Sequence, residues 1–235
     1  MKPVVSVIIP FFNCNYIEEA IESVLKQTYD HLEIIIVDDG SDQQYFEKIK
    51  PFLKEDIKYF RKENGGTASA LNEGINYSKG AYIAWLSSDD VYMPKKIETQ
   101  IDWMQKNQYW ISFTSFYMIN ENSEIIHQPN DIHLSPRQIK SILMKRNVLN
   151  GSTCVFSKEL VKNIGLFNER LLYTHDYEFW IRCSQQYEIG YFNLPTVKYR
   201  IHPNMGTKKF EEKIILEKNY IKRKIKTEFT RYIQH

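Results

Sequence analysis

Long apolar runs are missing from this sequence, which limits where the chain is expected to reside. No run approaches the ~18 apolar residues of a membrane-spanning helix. Met1-Lys2-Pro3 leads directly into a strand-like segment, without the apolar stretch and cleavage site of a secretory signal. Three scattered cysteines with no paired motif are typical of reduced thiols. These observations predict a cytoplasmic protein.

An excess of one charge and the common nucleotide-binding motifs are also missing. The formal net charge is +2, so the composition gives no indication of a nucleic-acid-binding surface. The first predicted strand leads into Phe11-Phe12-Asn13-Cys14 and not into a Gly-x-Gly-x-x-Gly turn, which argues against a dinucleotide-dependent dehydrogenase. The sequence contains neither a P-loop nor a zinc-ligand motif. Any phosphate must therefore be held by other loops and a metal ion.

Strands and amphipathic helices alternate through the first half of the 235 residues. Buried strands are predicted at 4–10, 33–37, 57–61 and 82–86, and helices at 17–25, 43–53 and 68–77. Alternation of this kind, with nearly continuous apolar strands, predicts an α/β fold with a Rossmann-like, mixed but mainly parallel sheet that is flanked by helices.

The second half is less regular. Strands are predicted at 110–119, 151–156 and 191–200, the last interrupted by Pro195, and helices at 135–145, at 175–186 and from 208 to the end. Because no linker or internal repeat separates these segments, we predict one compact domain over 1–207, followed by a basic C-terminal helix over 208–235.

Two acidic pairs follow predicted strands. Asp38-Asp39 follows the second strand and Asp89-Asp90 the fourth, while Pro10 to Asn13 follows the first. The carboxyl ends of parallel strands share one edge of a sheet, so these clusters should converge on one crevice. Turns also favour Asp for local hydrogen bonding. Four converging carboxylates, however, repel each other unless a cation or hydrogen-bond donors offset their charge. Oxygen ligands of this kind suit Mg²⁺ or Mn²⁺ bound to a diphosphate.

Several motifs in series resemble those of family 2 glycosyltransferases, which have the GT-A fold. The motifs are Val5-Ser6-Val7-Ile8-Ile9-Pro10-Phe11-Phe12-Asn13, Gln27-Thr28-Tyr29, Ile36-Val37-Asp38-Asp39-Gly40-Ser41, Ser88-Asp89-Asp90 and His175-Asp176-Tyr177-Glu178-Phe179-Trp180. The resemblance implies an inverting, nucleotide-sugar-dependent enzyme. It also implies a nucleotide-sugar-binding half over 1–110 and an acceptor-side half over 111–207.

The resemblance further implies which residues bind the donor. Asp39 would hydrogen-bond the nucleotide base, commonly uracil, and the loop with Pro10, Phe12 and Asn13 would flank the base and ribose. Gly66 and Thr67 would contact the donor from the Gly65-Gly66-Thr67 loop.

The resemblance also implies the residues of the reaction centre. Ser88 and Asp89 would bind the ribose or donor sugar, and Asp90 would bind Mn²⁺ or Mg²⁺. His202 resembles a histidine near the donor phosphates or metal in some relatives, although a lone His is more often structural. Asp176 would be the general base.

Two positions depart from the family pattern, and one assignment has a competitor. Ser88 stands where the first Asp of the Asp-x-Asp motif is usual, and Leu71 stands where an arginine is frequent. Both changes weaken the inference about metal and donor. Asp176 could instead only begin a helix, with Glu178 as the base. Tyr173 is a further acceptor-side candidate.

The C-terminal helix carries nine basic and four acidic side chains, an excess of five positive charges. A basic amphipathic helix can rest on an anionic membrane, where lipid-linked acceptors reside. Alternatively, the helix packs against the domain or against a second subunit in a homodimer, through Ile214, Ile221, Ile225 and Phe229.

The function implied is transfer of a hexosyl or N-acetylhexosaminyl group from a nucleoside diphosphate sugar, with UDP as the expected nucleotide. The acceptor would be a hydroxyl of a glycan, a lipid-linked sugar or a protein, as in polysaccharide biosynthesis. Two alternatives are a catalytically silent nucleotide- or sugar-binding module and a nucleotidyltransferase. The second would need a glycine-rich basic loop where Phe11-Phe12-Asn13 stands.

Overall fold

The computed structural model describes residues 2–53 and 57–233, with the side chains of the last helix described as far as residue 225. Within these ranges the strands form one sheet. They are β1 (Val5–Phe11), β2 (Leu32–Asp38), β3 (Ile57–Arg61), β4 (Tyr82–Trp85), β5 (Val91–Tyr92), β6 (Ile111–Ile119), β7 (Ile125–His127), β8 (Val155–Ser157) and β9 (Ile189–Arg200).

The α-helices of the described ranges lie between these strands and after the last of them. They are α1 (Ile17–Leu25), α2 (Gln43–Ile49), α3 (Thr67–Tyr77), α4 (Lys96–Asn107), α5 (Pro136–Leu143), α6 (Lys158–Ile164), α7 (His175–Gln186), α8 (Gly206–Lys209) and α9 (Glu211–Ile233). Over the described residues, no helix is both long and apolar enough to cross a membrane.

The sheet has the strand order β3-β2-β1-β4-β8-β6-β9-β5, with β7 paired to β6. Strands β3, β2, β1 and β4 are parallel to one another, and β6 is parallel to β9. The antiparallel pairs are β8 with β4 and with β6, β5 with β9, and β7 with β6. This architecture confirms the predicted mixed, mainly parallel α/β sheet. Because β4 pairs with β8, one sheet continues from the first half of the chain into the second.

Apolar side chains cover both faces of the sheet. Ile8 of β1 packs in a cluster with Leu71 and Ile75 of α3, while its neighbours Val7 and Ile9 belong to the cluster on the other face. Alternate residues of a strand point to opposite faces, so a strand buried on both sides needs an unbroken apolar run. The sequence of β1 meets this requirement except at Ser6, whose buried hydroxyl accepts a hydrogen bond from the Gly80 N–H at 2.9 Å.

Two predicted elements differ from the structure. Residues Gly151–Thr153, predicted as the start of a strand, form a 3-10 turn, and β8 begins at Val155. The Asn150 side chain accepts a hydrogen bond from the Ser152 N–H at 2.9 Å, which favours the turn. A Cβ on Gly151 would lie 2.3 Å from the ring of Trp85, so only glycine allows this close approach. The predicted helix at 43–53 ends at Ile49, and a 3-10 turn containing Pro51 follows it.

The C-terminal helix is divided and packs on the domain. Helix α8 ends before Phe210, whose ring centroid lies 4.7 Å from that of Tyr173, and α9 begins at Glu211. Ile214 and Ile221 are buried, and Ile225 packs against the core cluster that contains α7. The predicted packing of this helix through Ile214, Ile221 and Ile225 is therefore what the structure shows, whereas Phe229 of the same prediction lies outside the side chains that the structure describes.

Candidate active site

The first acidic turn is Asp38-Asp39 at the end of β2, and the side chain of Asp38 is buried there. One carboxylate oxygen of Asp38 accepts a hydrogen bond from the Ser41 N–H at 2.8 Å, and the other accepts one from the Tyr59 hydroxyl at 2.7 Å. Burial and this carboxylate together raise the pKa of Tyr59. Asp38 thus stabilises the turn and has no exposed surface.

Asp39 binds the loop that begins α3. Its carboxylate accepts hydrogen bonds from Lys62 Nζ at 2.9 Å, from the Gly65 N–H at 2.9 Å and from the Gly66 N–H at 2.7 Å. Gly66 has a φ of +87°, a conformation that side chains disfavour. The predicted donor residues Asp39 and Gly66 are therefore in direct contact, and Thr67 is the first residue of α3.

The loop after β1 carries three predicted donor residues. Pro10 is buried within β1, whereas Phe12 is 50% exposed. Asn13 has a φ of +44°, which asparagine tolerates better than most residues. Its side chain accepts a hydrogen bond from the Asp42 N–H at 2.8 Å and donates one to the Asp42 carboxylate at 3.1 Å. Asn13 therefore joins the loops that follow β1 and β2.

In the second acidic turn, Asp89-Asp90 after β4, Asp89 points toward His202. Its Oδ2 lies 3.0 Å from His202 Nε2, and the imidazole also meets the Tyr16 ring edge-on at 5.2 Å between centroids. The carbonyl of Ser88 accepts a hydrogen bond from the Cys14 thiol, with a distance of 3.3 Å. The structure thus brings together Asp89 and His202, which are 113 residues apart in sequence.

Asp90 is enclosed. It is 1% exposed, and its two carboxylate oxygens accept hydrogen bonds from the Ser152 hydroxyl at 2.5 Å and the Arg200 N–H at 3.0 Å. Burial and the neighbouring charge of Asp89 raise the pKa of Asp90. The predicted role of Asp90 as a metal ligand meets a physical difficulty, because a carboxylate without access to the crevice cannot bind a metal there unless its surroundings move.

Arg200 supports the second turn from beneath. Its guanidinium is fully buried, donates to the carbonyl of Asp89 at 2.8 Å, pairs with Glu19 and lies 4.3 Å from the Tyr16 ring centroid. A buried cation with hydrogen bonds and an ion pair fixes the backbone of this turn.

Asp176 lies in the first turn of α7. Its Oδ2 accepts a hydrogen bond from the Asn147 amide at 2.7 Å and its Oδ1 accepts one from the Tyr177 N–H at 2.7 Å. Burial raises the pKa of this carboxyl, whereas the partners His175, Tyr177 and Asn147 act in the opposite direction. A carboxylate with a raised pKa accepts a proton more readily, as a general base requires.

Glu178, the competing base, is already paired. Both of its carboxylate oxygens accept hydrogen bonds from Arg182 Nε, at 2.9 and 3.0 Å. The same guanidinium donates to the carbonyl of Leu166 at 2.7 Å. Glu178 therefore belongs to a structural ion pair, and the geometry favours Asp176 as the base.

The carboxylates of the second acidic turn and of Asp176 all act on the half-buried phenol of Tyr199. The pKa of Tyr199 is raised by burial and by the charges of Asp90, Asp89 and Asp176. The loop after α5 also spans the two groups, since Asn147 binds Asp176 and Ser152 binds Asp90. Residues far apart in sequence therefore form one acidic site at this edge of the sheet.

Glu217 of α9 is a site residue that sequence analysis missed. Its carboxylate accepts hydrogen bonds from the N–H groups of Leu172 at 2.9 Å, Tyr173 at 3.0 Å and Thr174 at 2.9 Å, just before Asp176. Tyr173, the predicted acceptor-side candidate, is covered by Phe210 of the tail.

Other missed residues are Asn147, Ser152 and Arg200, which hold Asp176, Asp90 and Asp89. Residue type alone does not indicate such a role, because Asn, Ser and Arg are all common on protein surfaces. Arg200 does lie within the predicted strand at 191–200, where an arginine is unusual enough to indicate a buried partner.

The model of glycosyl transferase family 2 matches residues 6–165, which include the loop after β1 and both acidic turns. The chain belongs to this glycosyltransferase family. The glycosyltransferase is 37% identical over 237 residues to an uncharacterized glycosyltransferase of Rickettsia typhi, with 97% of this chain and 74% of the relative covered.

Two further comparisons concern proteins with named ligands or substrates. The glycosyltransferase is 30% identical over 214 residues to the Escherichia coli UDP-Glc:alpha-D-GlcNAc-diphosphoundecaprenol beta-1,3-glucosyltransferase WfgD, covering 88% of this chain and 81% of WfgD. Its fold matches S. aureus TarS 1–349 in complex with UDP-GlcNAc, with a TM-score of 0.72, 19% identity and coverage of 86% of this chain. The glycosyltransferase spans 60% of that TarS chain. The likeness to TarS shows the GT-A-like fold.

Proposed function

We propose that this glycosyltransferase transfers a glucosyl or N-acetylglucosaminyl group from a UDP-sugar to a hydroxyl of a lipid-linked sugar, with inversion at the anomeric carbon. The observation that carries the proposal is that one short segment contacts carboxylates of both groups, because Asn147 donates to Asp176 and Ser152 donates to Asp90. This arrangement supports a donor site and a base in one crevice.

The donor assignment is supported by the relatives and by the first acidic turn. WfgD uses UDP-Glc and acts on a diphosphoundecaprenol-linked sugar, and TarS was crystallised with UDP-GlcNAc. Asp39 and the Gly65–Gly66 loop form a polar wall at the ends of β2 and β3. For Asp39 to bind a uracil, its carboxylate would share or exchange the N–H groups that it now accepts.

The residues at the second acidic turn fit a divalent cation, with Asp89 and His202 as its ligands. Carboxylate oxygen and imidazole nitrogen are both suitable ligands for Mn²⁺, and these two atoms lie 3.0 Å apart. Among the described residues, no group of three or more His, Cys, Asp or Glu side chains could hold a metal ion. Diphosphate and water oxygens would therefore complete the coordination, as is common for Mg²⁺. Such a cation offsets the charge that develops on a departing diphosphate.

Asp176 provides the base of the proposed displacement. As the acceptor oxygen attacks the anomeric carbon, the hydroxyl proton passes to a carboxylate oxygen of Asp176, and the bond to UDP breaks on the opposite face of the sugar. Each oxygen of Asp176 accepts one hydrogen bond and retains a second lone pair for the proton. Asn147 and the Tyr177 N–H hold the carboxylate still during the step.

The test compares Asp176→Asn with Glu178→Gln on UDP-Glc and UDP-GlcNAc, with a diphosphate-lipid-linked GlcNAc as acceptor. A positioned base contributes about 10²–10⁴-fold, so Asp176→Asn should lose turnover by that factor and retain UDP binding. Glu178→Gln should retain turnover, because its partner Arg182 still donates to the carbonyls of Ile164 and Leu166. Normal turnover of Asp176→Asn would refute the base assignment, and binding of UDP without any transfer or donor hydrolysis by wild type would favour the silent module.

A further inference from the structure

The outer face of α9 exposes apolar side chains that the domain does not cover. Leu216 is 69% exposed and Tyr220 56% exposed, and Leu172 beside them is 50% exposed. The cations Arg170 and Lys224 flank the same surface and are also exposed. We call these five residues the tail patch.

Folding of the domain does not explain the tail patch. The opposite face of α9 already provides the packing, since Ile214 and Ile221 are buried and Ile225 contacts the core cluster. An amphipathic helix needs one apolar face for its domain. A second apolar face with adjacent cations is the pattern of a surface that has another partner.

The tail patch borders an open groove of about 630 Å³ between α9 and the segment before α7. Arg170, Leu216, Tyr220 and Lys224 line it, and so does Glu217. The same Glu217 accepts the hydrogen bonds from residues 172 to 174. The groove therefore lies on the side of the molecule where the segment that carries Asp176 begins.

We infer that the tail patch docks on a bilayer surface that contains anionic lipid. Apolar side chains beside Lys and Arg are what an interfacial membrane contact requires, because the former enter the headgroup boundary while the latter pair with lipid phosphates. Lys208, Lys209 and Lys222 of the two tail helices are exposed as well and add positive charge.

The charge of the tail patch favours a bilayer over a second copy of the chain. In a symmetric dimer both copies contribute the same surface, so one interface would enclose Arg170 and Lys224 twice, as four cations. Like charges in contact destabilise such an interface. An anionic lipid surface meets the same cations with opposite charge.

The test is sedimentation of the full chain with phosphatidylcholine vesicles that either contain or lack phosphatidylglycerol. The wild type should bind the anionic vesicles and release them as salt is raised. Arg170→Gln with Lys224→Gln should weaken binding by about 25-fold, since each surface cation contributes about fivefold. Leu216→Ser with Tyr220→Ser should weaken binding by about tenfold.

The matched control is Ile125→Ser with Ile126→Ser on β7, which removes two side chains of similar exposure, 49% and 54%, elsewhere on the surface. It should bind as wild type does, and thermal melting should show all variants folded. Equal binding of wild type to both vesicle types, or equal loss in the control, overturns the inference. So does a wild-type dimer in light scattering that Leu216→Ser with Tyr220→Ser dissociates. Because these measurements need no sugar transfer, they are independent of the proposed function.

Discussion

The two acidic turns follow strands that lie on either side of β1. Their carboxylates differ in how far away in sequence their hydrogen-bond partners are. Partners of the first turn, such as Ser41 and Gly66, lie 3 to 27 residues away. Partners of the second turn, Ser152, Arg200 and His202, lie 62 to 113 residues away. The first turn is thus a local unit, whereas the second joins the two halves of the chain.

This difference has a consequence for mutations. A change at the first turn should alter mainly the loop between β3 and α3, which Asp39 holds. A change at the second turn should alter both the stability of the whole sheet and the alignment of Asp89. The buried Ser152 and Arg200 join the two halves of the sheet and also hold this turn. Four measurements test this contrast.

Removing the cation at each turn should give the largest difference. Arg200→Met leaves the buried partner carbonyls and Glu19 without their donor, which costs about 3–5 kcal/mol. Lys62→Met removes a partly exposed partner of Asp39 and should cost about 1 kcal/mol, because two N–H donors remain. Urea denaturation measures both, and an equal or larger loss for Lys62→Met would contradict the contrast.

The next effect concerns Lys96, which is fully buried near the second turn. Its Nζ lies 4.7 Å from the ring centroid of Tyr92, whose hydroxyl donates to the last carbonyl of β4. Burial lowers the pKa of Lys96 from 10.5 to about 7. Between these values the unfolded chain holds the proton and the folded chain does not, so the free energy of unfolding should rise with pH.

The expected rise is about 2 kcal/mol from about pH 7 to about pH 9, and Lys96→Met should abolish it. Lys106→Met, at an exposed position of the same helix, is the control and should retain the slope. Chemical denaturation at several pH values provides the measurement. A slope that survives in Lys96→Met would show that another group titrates.

Substitutions at the two turns should differ by about tenfold in how the affinity for UDP depends on the metal ion. Asp89→Ala removes one of the two proposed metal ligands, so it should weaken UDP binding in Mn²⁺ and make no difference in EDTA. Asp39→Ala should weaken UDP binding equally in both conditions, because its proposed contact with the base needs no metal. Calorimetry with UDP measures this contrast. A loss for Asp89→Ala that persists in EDTA would assign Asp89 to the donor and not to the metal.

The smallest effect is expected at Asp90. Burial and Asp89 raise its pKa, so a neutral amide is a close substitute that can accept from the Arg200 N–H and donate to Ser152. Asp90→Asn should therefore change the free energy of unfolding by less than about 1 kcal/mol. Asp38→Asn, which weakens the contact with Arg61, should cost more. The reverse order in thermal melting would mean that Asp90 is needed as an anion.

Much of the fold could be predicted because it depends on local patterns. The apolar runs of β1, β2 and β4 and the periodicity of α1 and α3 coincide with the observed elements. Helix α4 was not predicted, although Ile97, Ile101 and Met104 are buried along one side of it. Lys96 and Gln100 of the same helix are buried too, and buried polar residues conceal an amphipathic pattern.

The sequence by itself determined where the chain turns at the ends of β1, β2 and β4 and that carboxylates stand there, since strand periodicity and turn chemistry act over a few residues. Only the tertiary structure decided that Asp90 is enclosed, that Asp89 faces His202, and that Glu217 reaches the segment before Asp176. Each of these contacts joins groups more than 40 residues apart. The geometry of the contacts at Asp89 and Asp90 depends on how β8 and β9 pair within the sheet, and a local sequence pattern does not predict that pairing.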